Sequence, residues 1–286
     1  MALRINYNFE SVSAQRNLAT TQNAFGRAIE QLSSGLRINR ASDDAAGLAV
    51  SEKLKNQIRG LNQAQRNAQD AVSLLQTAEG ALNETHSLLA RLRELAVQSA
   101  NDTLTNSDRL HIQDEVNQLL SEVDRIATAT QFNTIPLLSG PGSAATGLAF
   151  HVGANKETGN AANELTFTLS NANTTGLSIA NIASAGLQSL TTQGGANAAI
   201  SVLDTAIEDV SSRRGSIGAM QNRLESTINS LGVAAENTGA ANSRIRDADV
   251  AQAVSEMVRT QILQQSTMAI LAQANQAPQM ALQLLK

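Results

Sequence analysis

The sequence predicts a mainly α fold: a bundle of long helices carrying a small β-hairpin region, with a further pair of helices made by the two chain ends. Three observations lead there. Apolar residues recur every seven positions through a 43-residue stretch, Leu54, Leu61, Ala68, Leu75, Leu82, Leu89 and Ala96, which is helical periodicity. Aromatics make up only 2% of the 286 residues, with no Trp and one Tyr, so Leu, Ile, Val and Ala must fill the core, and they do so best between helices. Between the helical patterns, residues 131–195 hold Pro136, Pro141 and short two-residue alternations instead, the mark of strands and turns.

At the start of the chain, Leu18, Phe25, Ile29, Leu32 and Leu36 share one helical stripe. Residues 33–48 then place Gly35, Gly47 and the pair Asp43-Asp44 together. The spacing of a phosphate-binding loop is missing there, and the reading is a helix break followed by an N-cap. From about Asp44 to Gln98 the seven-residue seam runs beside a second stripe of Ala71, Leu74, Ala78, Ala81, Leu88, Leu92 and Leu95. Its partner seam decays toward polar at Glu79, His86 and Arg93, so a nearly straight bundle helix fits better than a two-stranded supercoil. A capping cluster at Thr105-Asn106-Ser107-Asp108 opens the next helix, whose stripe is Ile112, Val116, Leu119, Val123 and Ile126.

Leu148, Phe150 and Val152, then Leu165, Phe167 and Leu169, alternate as the two arms of a hairpin. Residues 170–195 are small and polar and read as surface loop. Helical rhythm returns with Ile200, Leu203, Ile207, Val210, Ile217, Leu224, Ile228 and Leu231. A last, weaker helix carries Val250, Val254, Met257, Met268 and Leu271 on one stripe. The implied segments are 1–43, 44–140, 141–195, 196–240 and 241–286. The first and last hold too few large apolar residues to offset the backbone entropy of ordering them. They are expected to order on association, and a chain with two such ends is built to polymerise.

Composition narrows function further. The net charge is −4 without any block of like charge, so nucleic acid is not an expected partner. There is no cysteine, which excludes disulfides and thiolate metal sites. Residues 165–203 lack charge but are studded with Asn, Thr, Ser and Gly, which no membrane span would be. The first residues have no apolar stretch of the kind a cleaved signal peptide needs. His86, His111 and His151 are far apart and form no metal-binding pair, and no nucleophile elbow or phosphate loop is present. Neither an active site nor a cofactor or metal is expected. The methionines of the last segment, Met257, Met268 and Met280, read as adaptable packing.

Three stretches are similar to the flagellin family. One is Leu32-Ser33-Ser34-Gly35-Leu36-Arg37-Ile38-Asn39, continuing through Arg40-Ala41-Ser42-Asp43-Asp44-Ala45-Ala46-Gly47-Leu48-Ala49. The second is Arg91-Leu92-Arg93-Glu94-Leu95-Ala96-Val97-Gln98-Ser99-Ala100-Asn101. The third is Gln264-Gln265-Ser266-Thr267-Met268-Ala269-Ile270-Leu271-Ala272-Gln273-Ala274-Asn275-Gln276, with Pro278 and the closing Leu282-Gln283-Leu284-Leu285-Lys286. The resemblance spans residues 1–140 and 196–286 and lacks the large outer domains of longer members. It implies an extracellular filament subunit: paired terminal helices as an inner layer (D0), the long helices and β region as the next layer (D1), and residues 33–48 as the spoke between them. It also implies export through the flagellar type III apparatus, an export chaperone, a filament cap and hook–filament junction proteins as partners. A hook–filament junction protein is the alternative identity, since those share similar ends.

The resemblance also assigns residues. Arg91, Leu95 and Gln98, three or four apart on one helix, together with Glu115 on the next, correspond to a subunit interface and to the surface that toll-like receptor 5 recognises. Leu18, Phe25, Ile29, Leu32, Leu36, Val254, Met257, Met268 and Leu271 would form the polymerisation core. Leu282, Leu284 and Leu285 would serve as tail contacts in the filament, where inflammasome sensors and the chaperone also bind.

Overall fold

The computed structural model describes residues 7–139, 147–155, 163–183 and 189–283, with the backbone alone described for 277–283. Five helices carry the fold: α1 (Phe9–Ser34), α2 (Ala45–Ser99), α3 (Asn106–Ala129), α4 (Gln193–Arg246) and α5 (Val250–Gln283). Four short strands lie between α3 and α4: β1 (Gln131–Phe132), β2 (Ile135–Pro136), β3 (Leu148–His151) and β4 (Glu164–Phe167). The expected mainly α architecture with a small β region is what the chain adopts. No helix among the described residues is long and apolar enough to cross a membrane.

The chain forms two compact units, one of residues 57–235 and one of residues 1–56 with 236–286. The divisions therefore fall inside α2 and α4, some residues away from the helix breaks near 43 and 247. Within the unit of residues 1–56 with 236–286, the start of α2 and the end of α4 are joined by the 2.6 Å ion pair of Arg246 with Glu52.

In the 57–235 unit the seven-residue seam of α2 is the centre of the core: Ala68, Leu75, Leu82, Leu89 and Ala96 are all buried, as are Leu74, Ala78, Leu92 and Leu95 of the adjoining stripe. Val116, Leu120 and Val123 of α3 and Leu203, Val210, Ile217 and Leu224 of α4 close on it. A capping box starts α3, with Thr105 accepting from Asp108 N–H and the Asp108 carboxylate accepting from Thr105 N–H at 2.9 Å. The apolar stripes thus meet one another, each large aliphatic side chain contributing on the order of 1.5–3 kcal/mol on full burial.

The β region is two separate antiparallel pairs. β1 and β2 join through Asn133 and Thr134, both with positive φ (48° and 65°), the backbone a two-residue hairpin turn demands. β3 pairs β4 with Leu148 opposite Phe167 and Phe150 opposite Leu165, so the two alternating runs face each other as expected.

Residues 170–195 differ from expectation. They are not a surface loop along the described part: Ala172, Leu177, Ile179, Ile182 and Leu190 are buried and belong to the core, and helix α4 already begins at Gln193. Leu177, Ile179 and Ile182 lie in a run too short to set a helical or strand period, and Ala172 and Leu190 each stand between polar residues. Side chains from the helices satisfy the backbone polar groups that this burial would otherwise leave without partners. Asp124 accepts from Thr174 N (2.8 Å) and Oγ1 (3.0 Å), and Arg213 donates to Asn171 O at 2.6 Å. Burial pulls the Arg213 pKa downward.

Helix α4 also runs on past Leu231 to Arg246. Residues 235–246 show no apolar stripe because they are mostly small or polar, yet nothing in them breaks a helix before Asp247.

Candidate assembly surface

In the unit formed by the chain ends, α1 and α5 pack together. They run antiparallel, since Asn8 bonds Ala274 at one end and Gly35 bonds Ala248 at the other. The side of α1 that is buried is a three-four seam of Ser11, Ala14 and Ala28, with half-buried Leu18, Phe25 and Leu32 between them. On α5 the matching seam is Ala253, Thr260 and Ala274, with half-buried Met257 and Leu271. The fully buried members are all small. Little apolar area is removed from water at each, so the pair is thinly stabilised by its own seam.

Many other large apolar side chains of these helices face outward. Phe9 is 69% exposed, Ile262 58% and Ile270 57%, and Ile29, Val254 and Met268 are exposed as well. Among the described residues, 12 of the 15 exposed large hydrophobics belong to this unit, which concentrates unmatched apolar surface on the smaller of the two bodies. Of the expected polymerisation core, then, Leu18, Phe25, Leu32, Met257 and Leu271 lie toward the α1–α5 seam, whereas Ile29, Val254 and Met268 are on the outside. The one-stripe reading merged two neighbouring faces. Leu282 lies in the last turn of α5 by its backbone; its side chain, Leu284 and Leu285 fall outside the described residues.

The break expected at residues 33–48 has a definite construction. Gly35 ends α1 with φ 70°, its N–H bonded to Gln31 O, the left-handed cap that glycine supplies at least cost. Leu36 then forms a lone antiparallel bridge with Asp247, where α4 gives way to α5. Arg37 N donates to Arg246 O at 2.7 Å, Ala248 N donates to Gly35 O at 2.9 Å, and the Arg37 guanidinium donates to Ile245 O at 2.6 and 3.2 Å. Two helix breaks are thereby clasped side by side, and Arg37 takes carbonyls that the end of α4 leaves without helical donors. Leu36, half-buried, sits in this clasp.

The acidic pair has local work only. Asp44 accepts from Gly47 N–H at 2.8 Å as the N-cap of α2. Asp43 accepts from the N–H groups of Arg40 and Asn39, and these bonds, Arg40's foremost, hold its carboxyl below the ordinary aspartate value. A Cβ at Gly47 would meet the Asp44 carboxylate and lie 2.8 Å from Cδ1 of the buried Ile38, which accounts for glycine at that turn.

Arg91, Gln98 and Glu115 are exposed in the 57–235 unit, and Leu95 is not: it is 2% exposed and packed in the core. Helical spacing put Arg91, Leu95 and Gln98 on one face, with Glu115 added by the resemblance, but could not say which edge of the stripe α3 covers. Arg91 Nη2 reaches Glu115 Oε1 at 2.8 Å and Nη1 reaches Glu94 Oε2 at 3.1 Å; the bond to Glu115, then that to Glu94, raises the Arg91 pKa. The sequence reading passed over two buried residues of α3. Arg109 donates to Ser99 O and Asn101 O, tying the α2–α3 turn, and Gln113 joins Ile182 O to Leu190 N. A polar residue sitting on an otherwise apolar helical face is the one signal that could have found them. No group of three or more His, Asp or Glu among the described residues could hold a metal.

A family model described as bacterial flagellin N-terminal helical region matches residues 5–143, and one described as bacterial flagellin C-terminal helical region matches residues 200–285. The chain is similar to a flagellin of Halalkalibacterium halodurans, at 48% identity over 99% of both chains. It is also similar to the flagellar filament 33 kDa core protein of Treponema phagedenis, at 46% identity over 99% of both. Among solved structures, a putative flagellar hook-associated protein from Vibrio parahaemolyticus aligns with 72% of this chain and 100% of its own, with TM-score 0.57 and 18% identity, a likeness of fold alone.

Proposed function

The chain belongs to the bacterial flagellin family, and we propose that it builds the flagellar filament through the outward apolar faces of its terminal helix pair. It is a structural filament subunit of a non-enzymatic family. The observation that carries the proposal is the contrast within one small unit: only small residues fully buried in the α1–α5 seam, and Ile262, Ile270, Val254 and Phe9 exposed outside it. Burying those outer faces against other copies gains what the seam alone does not supply.

The hook–filament junction alternative has less support, since flagellin and filament core proteins match at 46–48% over the whole length, whereas the likeness to a putative hook-associated protein is one of fold alone. The test is seeded growth of purified protein. Parent protein should extend filament seeds, and Ile262→Asp, which places a charge on the proposed contact without touching the seam, should stop extension while leaving the circular dichroism of the monomer unchanged. Extension by Ile262→Asp at the parental rate would refute the assignment of this face.

Export through the flagellar type III route, capture by the chaperone and the cap, and contact with junction proteins and inflammasome sensors extend the same reading from the family resemblance. The segment Leu282–Leu285 is the proposed tail contact. For toll-like receptor 5, the exposed ion pair of Arg91 with Glu115, beside Gln98, supports a receptor-facing surface in the released monomer; Leu95 supports it from beneath. Depolymerised protein should signal through the receptor and Arg91→Ala should weaken the response. A flat dose series with the parent protein would remove this proposal.

A further inference from the structure

Pro278 lies inside α5, which continues as helix from Val250 to Gln283. Proline has no backbone N–H, so the carbonyl four residues earlier, that of Ala274, loses its helical donor. That same carbonyl receives a hydrogen bond from Asn8 Nδ2 at 2.7 Å. The other end of the Asn8 amide is committed as well: Oδ1 accepts from Ser11 N–H at 3.1 Å as the N-cap of α1. The bond from Ser11 fixes which way the amide points, and its NH2 is turned to the place on α5 that the proline has opened. One residue on, Ser11 Oγ meets Asn275 Oδ1 at 2.9 Å.

The seam between the helices makes such a device necessary. On both helices it repeats a small row, Ala14 and Ala28 against Ala253, Thr260 and Ala274, beside a larger row, Leu18, Phe25 and Leu32 with Met257 and Leu271, at heptad spacing, and a slide of one heptad would again place small residues against small ones. Such a seam fixes the face but specifies register weakly, the circumstance in which a buried or half-buried polar contact decides it. Before its last turn, where carbonyls end without helical donors in any helix, α5 has such a carbonyl only where Pro278 creates it, and a slid register would carry Asn8 away from it and leave that carbonyl without its partner. At the opposite end, the Gly35–Ala248 bond holds the pair in the same register.

We propose that Pro278 and Asn8 act together as a register lock: the proline frees the Ala274 carbonyl, the asparagine amide occupies it, and this selects the single alignment of α1 on α5 that carries the outer apolar faces into a filament. This rests on the assembly reading above, and its test separates the two.

Asn8→Ser keeps a good helix cap but is too short to reach across. Pro278→Ala restores the helical N–H, so the carbonyl no longer needs Asn8. In full-length protein, Asn8→Ser should raise the monomer concentration left at equilibrium with seeded filaments by about two- to tenfold, the worth of one such hydrogen bond. The same substitution in a Pro278→Ala background should change it less than about twofold. Equal increases in both backgrounds would overturn the lock.

A readout independent of polymerisation uses the absence of natural cysteine. Relative to closure rates in urea, which report disordered ends, Ser11→Cys with Asn275→Cys should close a disulfide within the chain faster in buffer, and Ser11→Cys with Met268→Cys, one heptad away, should gain rate only when Asn8→Ser is added. Identical cross-linking with and without Asn8→Ser would also overturn the lock. Failure of the parent to extend seeds would count against the assembly reading alone, since the cross-links report register either way.

Discussion

Gln113 shows how much a single side chain holds in this protein. It is buried, and it donates to Ile182 O at 3.0 Å while accepting from Leu190 N at 2.6 Å, pinning both sides of a loop whose apolar residues fill the core. Gln113→Ala removes both partners at once and leaves two buried backbone groups unpaired, a loss of about 2–4 kcal/mol that urea unfolding should register. A stability equal to the parent's would show that the loop repacks without its pin. Asp43 and Asp108 carry a different residue-scale effect, because backbone N–H groups, of Arg40 and Thr105 respectively, depress both carboxyls. A depressed carboxyl stabilises the fold above its unfolded value of about 3.9 and loses that contribution as pH falls through the lower folded value. NMR titration should therefore find both side chains protonating below an ordinary aspartate, with the break at Gly35–Asp44 and the start of α3 loosening only in strong acid. Midpoints at or above the ordinary value would contradict the bonding described.

At the scale of elements, the β3–β4 hairpin is seated on α2 at one close approach. A Cβ at Gly60 would stand 2.9 Å from Ala154 Cβ and 3.1 Å from its Cα, and nearby Asn67 Nδ2 donates to His151 O. In an isolated helix, Gly60→Ala would gain about 1 kcal/mol of propensity. Here the added methyl meets backbone, and overpacking costs about 1–3 kcal/mol. The expected result is a net loss of stability with faster amide exchange at residues 150–155; slower exchange there would show that the contact has room. Thr105→Ala tests the capping box of α3 in the same way, with an expected loss of about 1 kcal/mol in thermal unfolding. By contrast, the exposed pair Arg91–Glu115 should matter little for stability, and Glu115→Ala should melt close to the parent.

For the whole molecule, the division of labour lies between a unit with a dense aliphatic core and a unit whose large apolar residues face outward. Stability is correspondingly uneven. Limited proteolysis of the monomer should trim both chain ends first and leave a fragment close to residues 57–235, while polymerised protein should resist trimming. Ends that survive in dilute monomer as long as the core does would contradict assembly-linked ordering. The same contrast predicts an apolar salt response: association should persist or strengthen in sulfate, where a contact built on ion pairs would weaken through screening.

Sequence alone determined where the long helices lie, the buried stripes of α2 and α4 and the facing arms of the hairpin, because each is written in a local period: Leu61 through Ala96 every seven residues, Leu148 to Val152 every two. It also carried the family, through runs such as Leu32–Ala49. A period states which face of an element is apolar but not what covers it. Only the tertiary structure decided that Leu95 lies under the surface that Arg91 occupies, and that Ile29, Val254 and Met268 face away from the seam of Leu18 and Leu271. Burial of Leu177, Ile179 and Leu190 was equally invisible, since they lie in runs too short to set a period and become core only through the helices they land on. The Asn8–Ala274 bond joins residues 266 positions apart; the proline that frees the carbonyl is plain in the sequence, but the amide that answers it is brought there by the fold.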